Sequence, residues 1–173
     1  MPSLTILRAG LICSIQDMGR KGLAYYAIPT AGVMDVNAAK IALLLLNQTE
    51  DHPLIECTAV APHIRFNDDC TIAISGADFG WMLNGTPLAV NSVIAVKAQD
   101  VLKGKMATDG LRGYIAIQGQ LNINKVYGSY ATYTNAAMGG FQGHLLQKGD
   151  TLSWKEVMSY NTGTIPIYLG PEF

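Results

Sequence analysis

The punctuation in the middle of this chain narrows its possible folds more than any other feature. After one stretch with helical spacing, residues 54–58, 63–66, 71–75, 80–83, 93–97 and 112–118 form short segments rich in β-branched, aliphatic and aromatic side chains. Turn residues separate them, and segments of this length and composition are strands. Asn67-Asp68-Asp69 and Asn84-Gly85-Thr86-Pro87 read as hairpin-type connections, the Asn-Gly pair being the strongest short-range hairpin signal in the sequence. A strand over 4–7 opens the chain, is interrupted at Gly10, and resumes over 11–15. Residues 145–150 read as a further strand leading into a tight turn, and 165–169 as an apolar terminal strand. Many short strands at fairly even spacing suggest a closed or nearly closed β-barrel, an arrangement that removes exposed sheet edges.

One helix is expected, over about 36–46. Asp35 is its cap, since a carboxylate there accepts from the free amides of the first turn, and Ala38, Ile41, Ala42 and Leu45 share one stripe for burial. With 49% hydrophobic and 14% charged residues among 173, the chain can bury a substantial core and carries a surface sparse in charge. That sparseness hints at a partner. A net charge of −1 with no Lys/Arg cluster lacks the electrostatic footprint of nucleic-acid binding. The longest apolar run, 41–46, is far short of the ~20 residues a membrane-spanning helix needs. Neither nucleic acid nor a membrane is therefore expected as a partner, and residues 1–15 show no signal-peptide pattern. Cys13, Cys57 and Cys70 lack CxxC spacing and sit in apolar surroundings, which suits buried free thiols in a reducing cytoplasm. His52, His63 and His144 lack ligand spacing, so no metal site is expected.

The candidate site lies where glycines and charges crowd together. Gln16-Asp17-Met18-Gly19-Arg20-Lys21-Gly22 is followed by Pro29-Thr30-Ala31-Gly32-Val33-Met34-Asp35, and a second glycine-rich block runs Met138-Gly139-Gly140-Phe141-Gln142-Gly143-His144. Asp17 and Arg20, three apart, either staple the loop as an internal pair or set a guanidinium to grip a carboxylate or phosphate. Gly19, Gly22 and Gly32 either let backbone amides approach an anion or make tight turns at a barrel corner. Asp35 reads as a cap rather than a catalyst. Asp78, after a strand-like segment ending Ile74-Ser75-Gly76-Ala77, reads either as a general base aimed into a cleft or as a turn carboxylate. Glu56 interrupts an apolar segment, where an unpaired carboxylate is costly to bury, and is either outward-facing on an alternating strand, the reading alternation favours, or a buried functional group. No Ser-His-Asp order and no GxxxxGK[ST] loop is present.

The order of these motifs identifies a family. QDxGRxG, GxMD, the strand ending Ser75-Gly76-Ala77-Asp78, Gly110-Leu111-Arg112-Gly113-Tyr114, GSxxTY over 128–133, GGFxG over 139–143 and Gly149-Asp150 together resemble the KipA / allophanate-hydrolase-subunit-2 family. That family includes the C-type subunit of prokaryotic 5-oxoprolinase and part of the carboxyltransferase domain of biotin-dependent urea carboxylase. The resemblance implies a mainly β, cyclophilin-like β-barrel with one short helix. Residues 1–173 then form a single domain corresponding to the N-terminal half of the family, whose members usually continue into a second half.

The activity so implied is ATP-dependent opening of 5-oxo-L-proline to L-glutamate, with ATP either at a noncanonical site or held by partner proteins, which are a KipI-like 5-oxoprolinase subunit of the B type and a LamB/YcsF-type subunit. Two alternatives are a biotin-dependent carboxyltransferase half-domain acting on urea, with biotin as its cofactor, and a KipA-like regulator binding a KipI-like kinase inhibitor. The resemblance moves Arg20 toward a site role with Asp17 as its orienting partner. It makes Arg112 a substrate or interface anchor, against the alternative of a solvated strand residue, and Gly139 and Gly140 part of a substrate-binding loop; Tyr133 and Ser129 read either as hydroxyl donors or, for the tyrosine, as barrel packing. Against the family pattern, Tyr130 and His144 stand where many relatives have arginine, and Gln120 replaces a frequent glycine.

Overall fold

The computed structural model describes residues 1–156. The strand expected over 165–169 lies outside the described residues. Among the described residues, twelve strands and one α-helix follow in order: β1 (Ser3–Arg8), β2 (Ile12–Gln16), α1 (Val36–Leu45), β3 (Leu54–Thr58), β4 (His63–Phe66), β5 (Cys70–Asp78), β6 (Met82–Leu83), β7 (Thr86–Pro87), β8 (Ser92–Val96), β9 (Val101–Lys103), β10 (Asp109–Ile117), β11 (Gln120–Leu121) and β12 (Thr151–Lys155). Single 3-10 turns occupy Ala24–Tyr26 and Thr134–Ala136. The strands form two sheets, one ordered β11-β12-β1-β4-β9-β6-β7 and the other β2-β3-β10-β5-β8. Their ladders are antiparallel throughout.

The fold is mainly β with one short helix, and the expected barrel takes the form of these two facing sheets. Alternation explains what holds them together. Ile55 and Cys57 of β3, Ile72 and Ile74 of β5, and Ile115 and Ile117 of β10 join Leu4, Ile6, Phe66, Leu102 and Trp154 of the other sheet in one core. The intervening residues, Leu54, Ala73, Tyr114 and Ala116, face the opposite way and are covered by Ala38, Ala39, Ala42 and Leu43 of α1. The five-stranded sheet is thus covered on both faces, and every residue of β3 is buried. Close approach of the helix depends on Gly76, which adopts φ +80° and whose Cβ would overlap the Arg112 carbonyl and crowd Ala38.

Asp35 caps α1 as expected, its Oδ1 accepting from Ala38 N at 3.0 Å. Asn84-Gly85 makes the expected two-residue hairpin between β6 and β7, both residues having positive φ, 51° and 89°. Two expectations fail. Residues 67–69 do not form a hairpin, because β4 and β5 belong to different sheets. They turn a corner, fixed where Asp68 Oδ2 accepts from Ser3 N at 2.9 Å and Asp69 Oδ1 from Ala98 N at 2.8 Å. Residues 145–150 are not a strand either. This segment bonds to both sheets, through Leu146 N to Cys13 O and Gly149 N to Ile6 O, each 2.8 Å, and the strand begins only at Thr151. Its apolar residues are anchors for a crossing. Among the described residues no helix is long and apolar enough to cross a membrane.

Candidate functional site

The residues singled out from sequence fall into two clusters, one at each end of β2 and β3. The first gathers around the loop that follows β2. Asp17 is buried, and both of its oxygens are engaged: Oδ1 accepts from Gly19 N at 2.8 Å and Ser129 Oγ at 2.6 Å, and Oδ2 accepts from Tyr130 N at 2.6 Å. Arg20 is also buried, only 2% exposed, yet it does not pair with Asp17. Its Nε donates to Val126 O at 3.2 Å and a terminal nitrogen donates to Ala131 O. Its other terminal nitrogen is buried with no hydrogen-bond partner among the described residues. The internal Asp17–Arg20 pair is absent, and Asp17 does not orient Arg20 by direct contact: the two side chains separately tie the loop at 17–20 to the segment at 126–131.

The glycines of this cluster serve close approach. A Cβ on Gly19 would lie 2.8 Å from the Thr30 and Ala31 carbonyls, and one on Gly32 would lie 2.8 Å from Gly19 N. The two segments meet back to back, joined by Arg20 N to Thr30 O at 2.8 Å and Val33 N to Asp17 O at 2.9 Å. Gly139 packs on the Arg20 guanidinium and the Ala131 carbonyl, and Gly140 packs on the Thr132 hydroxyl. Gly22 has φ +76° and open space around it. Tyr133 is half-buried, and its backbone closes the turn to Met138 with bonds of 2.8 and 3.1 Å. Three of the glycine amides are already engaged: Gly19 N is held by Asp17, Gly140 N by Tyr130 O at 2.7 Å and Gly143 N by Gly139 O at 2.8 Å.

Two clefts flank this knot. One, of about 380 Å3, runs between Met18, Gly19 and Lys21 on one side and Lys125, Tyr127 and Gly128 on the other, with Glu50 and Asp51 at its rim. The other, of about 400 Å3, is walled by Asn122, Asn124, Val126 and the glycine-rich segment 139–143. Arg20 lies directly behind the second wall, bonded to Val126 and packed on Gly139. Gln120, Tyr130 and His144 lie here too. Gln120 Nε2 donates to Tyr130 Oη at 3.0 Å, so these two side chains contact each other, and Lys125 Nζ sits 5.0 Å from the Tyr130 ring centroid. His144 packs edge-on against Phe141 and bonds through Nδ1 to Leu145 O at 2.7 Å.

The second cluster surrounds the start of α1. A cleft of about 700 Å3 is lined by Asp35, Asn37, Asp78, Asp109 and Arg112. Asp78 Oδ1 accepts from Gly80 N at 2.7 Å. The register of β10 against β5 slips between Asp109 and Gly113, which leaves Gly110, Leu111 and Arg112 bulging from the ladder. Arg112 turns to Glu56, with Nη1 to Oε1 at 2.8 Å. Glu56 Oε2 accepts from Met34 N at 2.8 Å and from Tyr114 Oη at 2.9 Å, while Tyr114 Oη accepts from Asp35 N at 2.8 Å. Burial, the Asp35 and Glu56 charges and the bond to Glu56 together push the Tyr114 phenol well above its ordinary pKa. Glu56 is therefore not outward-facing. Alternation does place it on the outer face of the sheet, but the helix and its entry loop cover that face. The overlooked signal was the pairing of a lone carboxylate in one apolar strand with Arg and Tyr two apart in another. Among the described residues no group of three or more His, Cys, Asp or Glu gathers in metal-binding geometry.

The family to which this two-sheet β domain belongs, with its covering helix and buried Asp-Arg knot between clefts, is that of carboxyltransferase-type modules. Residues 26–167 match the family described as carboxyltransferase domain, subdomain A and B, and the chain belongs to that family. It is 32% identical to a C-type subunit of the 5-oxoprolinase of Escherichia coli over 149 residues, covering 86% of this chain and 48% of that protein. It is 32% identical to the urea amidolyase of Saccharomyces cerevisiae over 151 residues, covering 87% of this chain and 8% of that protein. The crystal structure of the Kluyveromyces lactis urea carboxylase superposes with a TM-score of 0.83 at 32% identity, over 88% of this chain and 14% of that one. The chain thus spans about half the length of the 5-oxoprolinase protein and under a tenth of the urea amidolyase.

Proposed function

We propose that the chain contributes the C-type part of an ATP-dependent, cytoplasmic 5-oxoprolinase, opening the lactam of 5-oxo-L-proline to L-glutamate together with a KipI-like protein and a LamB/YcsF-type protein. The observation that carries this reading is the match to the corresponding 5-oxoprolinase subunits from two bacteria. Each is 32% identical over 86–90% of the chain, and each match takes in about half of the relative. The chemistry breaks an amide C–N bond by addition of water, and such a step needs donors fixed in a cleft from which bulk water is excluded.

In this reading the knot of Asp17, Arg20 and Gly139 is the positioning element. Asp17 fixes Ser129 and Tyr130, and Arg20 fixes the Val126–Ala131 segment, so together they shape the wall of the cleft at 122–126 and 139–143. Asp78 and Arg112 line the cleft at the helix start, with Asp78 as candidate base and Arg112 as substrate or interface anchor. With no GxxxxGK[ST] loop in the chain, the reading assigns the nucleotide to the partner chains. A second reading, a biotin-dependent carboxyltransferase part, is favoured by the family description and by the urea amidolyase relatives at equal identity.

The test is to recover the chain with its partners from its own host and measure glutamate released from 5-oxoproline with and without ATP. ATP-dependent release that falls about tenfold or more in Arg20→Ala supports the first reading and its site. No release from a complex that retains a biotinylated chain transfers the assignment to the carboxyltransferase. Release unchanged by Arg20→Ala in a folded protein removes Arg20 from the site.

A further inference from the structure

Two cysteines that lie 44 positions apart in sequence meet side by side in the inter-sheet core. Cys13 of β2 is directly opposite Cys57 of β3, and their sulfurs are 3.7 Å apart. The backbone bonds fix the kind of pairing. Cys13 O accepts from Leu146 N and Ile15 O from Thr132 N, so these β2 residues point their peptide groups away from β3. On β3, Ala59 N, two residues beyond Cys57, donates to Leu111 O, so Cys57 points its own peptide groups toward β10. Cys13 and Cys57 are therefore a non-hydrogen-bonded antiparallel pair, the position at which Cα atoms approach to about 4.5 Å and side chains are closest. That separation falls within the range a disulfide spans.

We propose that Cys13 and Cys57 are a redox-convertible pair that closes to an intramolecular disulfide under a two-electron oxidant, tying β2 to β3. With a diazene oxidant such as diamide, the two S–H bonds break and the S–S bond forms, and both hydrogens and both electrons pass to the N=N bond to give the hydrazine. A thiol reductant reverses the reaction. The sulfurs are buried, so reaction requires β2 to lift. β2 is the edge of its sheet, and its outer side is held by isolated bonds such as those from Leu146 and Thr132, not by a continuous ladder. Closure would lock the strand that leads into Asp17 against the strand that carries Glu56.

The experiment treats the full chain with diamide, alkylates the remaining thiols, and maps tryptic peptides without reduction. Trypsin separates the three cysteines, in peptides 9–20, 41–65 and 66–97. The expected result is a linked 9–20/41–65 pair lighter by two hydrogens, a free-thiol count that falls from three to one, and a higher urea midpoint that returns to the starting value with dithiothreitol. Cys70→Ser keeps the linkage and Cys57→Ser abolishes it. Three titratable thiols after treatment overturn the proposal, as does linkage confined to Cys70 or between molecules. So does a linked peptide that forms when the protein is oxidised in urea but not when it is oxidised folded.

Discussion

Replacing Asp17 by Ala removes a carboxylate that satisfies three donors at once: the Gly19 and Tyr130 amides and the Ser129 hydroxyl, at 2.6–2.8 Å. Hydrogen bonds to a charged group contribute about 1.5–3 kcal/mol each, but three on one carboxylate are not additive. Water can reach the half-buried amides of Gly19 and Tyr130 once the carboxylate is gone, whereas Ser129 is fully buried and its hydroxyl loses its acceptor. The net loss is expected at about 2–4 kcal/mol, since the charge leaves with the carboxylate and only neutral donors are stranded. With a urea m-value of about 1–3 kcal/mol/M, the unfolding midpoint falls by roughly 0.7–4 M, with m unchanged. Asp17→Asn keeps one acceptor oxygen but turns an amide donor toward either Tyr130 N or Ser129 Oγ, and should lose about half as much. The assay is equilibrium urea unfolding followed by tryptophan fluorescence, since Trp81 and Trp154 are both buried. A loss below about 1 kcal/mol for Asp17→Ala would refute the idea that this carboxylate holds the loops together.

At the other end, Glu56→Ala and Arg112→Ala should each destabilise, Glu56 more because it also holds Met34 N and Tyr114 Oη; a double-mutant cycle should show coupling of about 1–3 kcal/mol, and additive losses would count against the bridge. Tyr114 is raised above the ordinary value of about 10, so its contribution is fully present below pH 10 and is lost as pH rises through the higher folded value. Absorbance at alkaline pH should show the same number of tyrosines ionising near pH 10 in the native protein as in folded Tyr114→Phe, and one more in the native protein would contradict the buried bond to Glu56. Gly139→Ala forces a Cβ into the Ala131 carbonyl and the Arg20 guanidinium, whereas Gly22→Ala meets open space; both carry the strain of positive φ. Thermal unfolding should therefore show the larger loss, above about 2 kcal/mol, for Gly139, and equal losses would mean that the close packing is not what requires glycine there.

The strands of the middle were legible because local pattern and tertiary role agree. Residues 54–58 and 63–66 are strands with the very bounds their composition suggests, and Asn84-Gly85 dictates its own turn. The failures share a cause. Residues 67–69 carry turn chemistry, but which strand follows them in space depends on sheet order, which no window of a few residues contains. Residues 145–150 have apolar residues at their start because Leu146 is buried where the segment passes from one sheet to the other. Glu56 was misplaced because alternation tells which face a residue takes, not whether something covers that face. At the site, sequence brought the right residues forward but matched them wrongly. Asp17 and Arg20 are three apart, and proximity in sequence suggested a pair. Apart from the Gly19 amide, their partners come from more than a hundred residues downstream, largely as main-chain carbonyls and amides that carry no side-chain signature.

The pairing of β1 with β12, which sets Ser3 opposite Ser153, brings the two ends of the described region side by side. The first strand thus has one near partner in sequence, β4, and one distant partner, β12. Its ladder to residues 63–66 can form early, whereas its ladder to residues 151–155 closes across the longest sequence separation of the described sheets and is correspondingly slow.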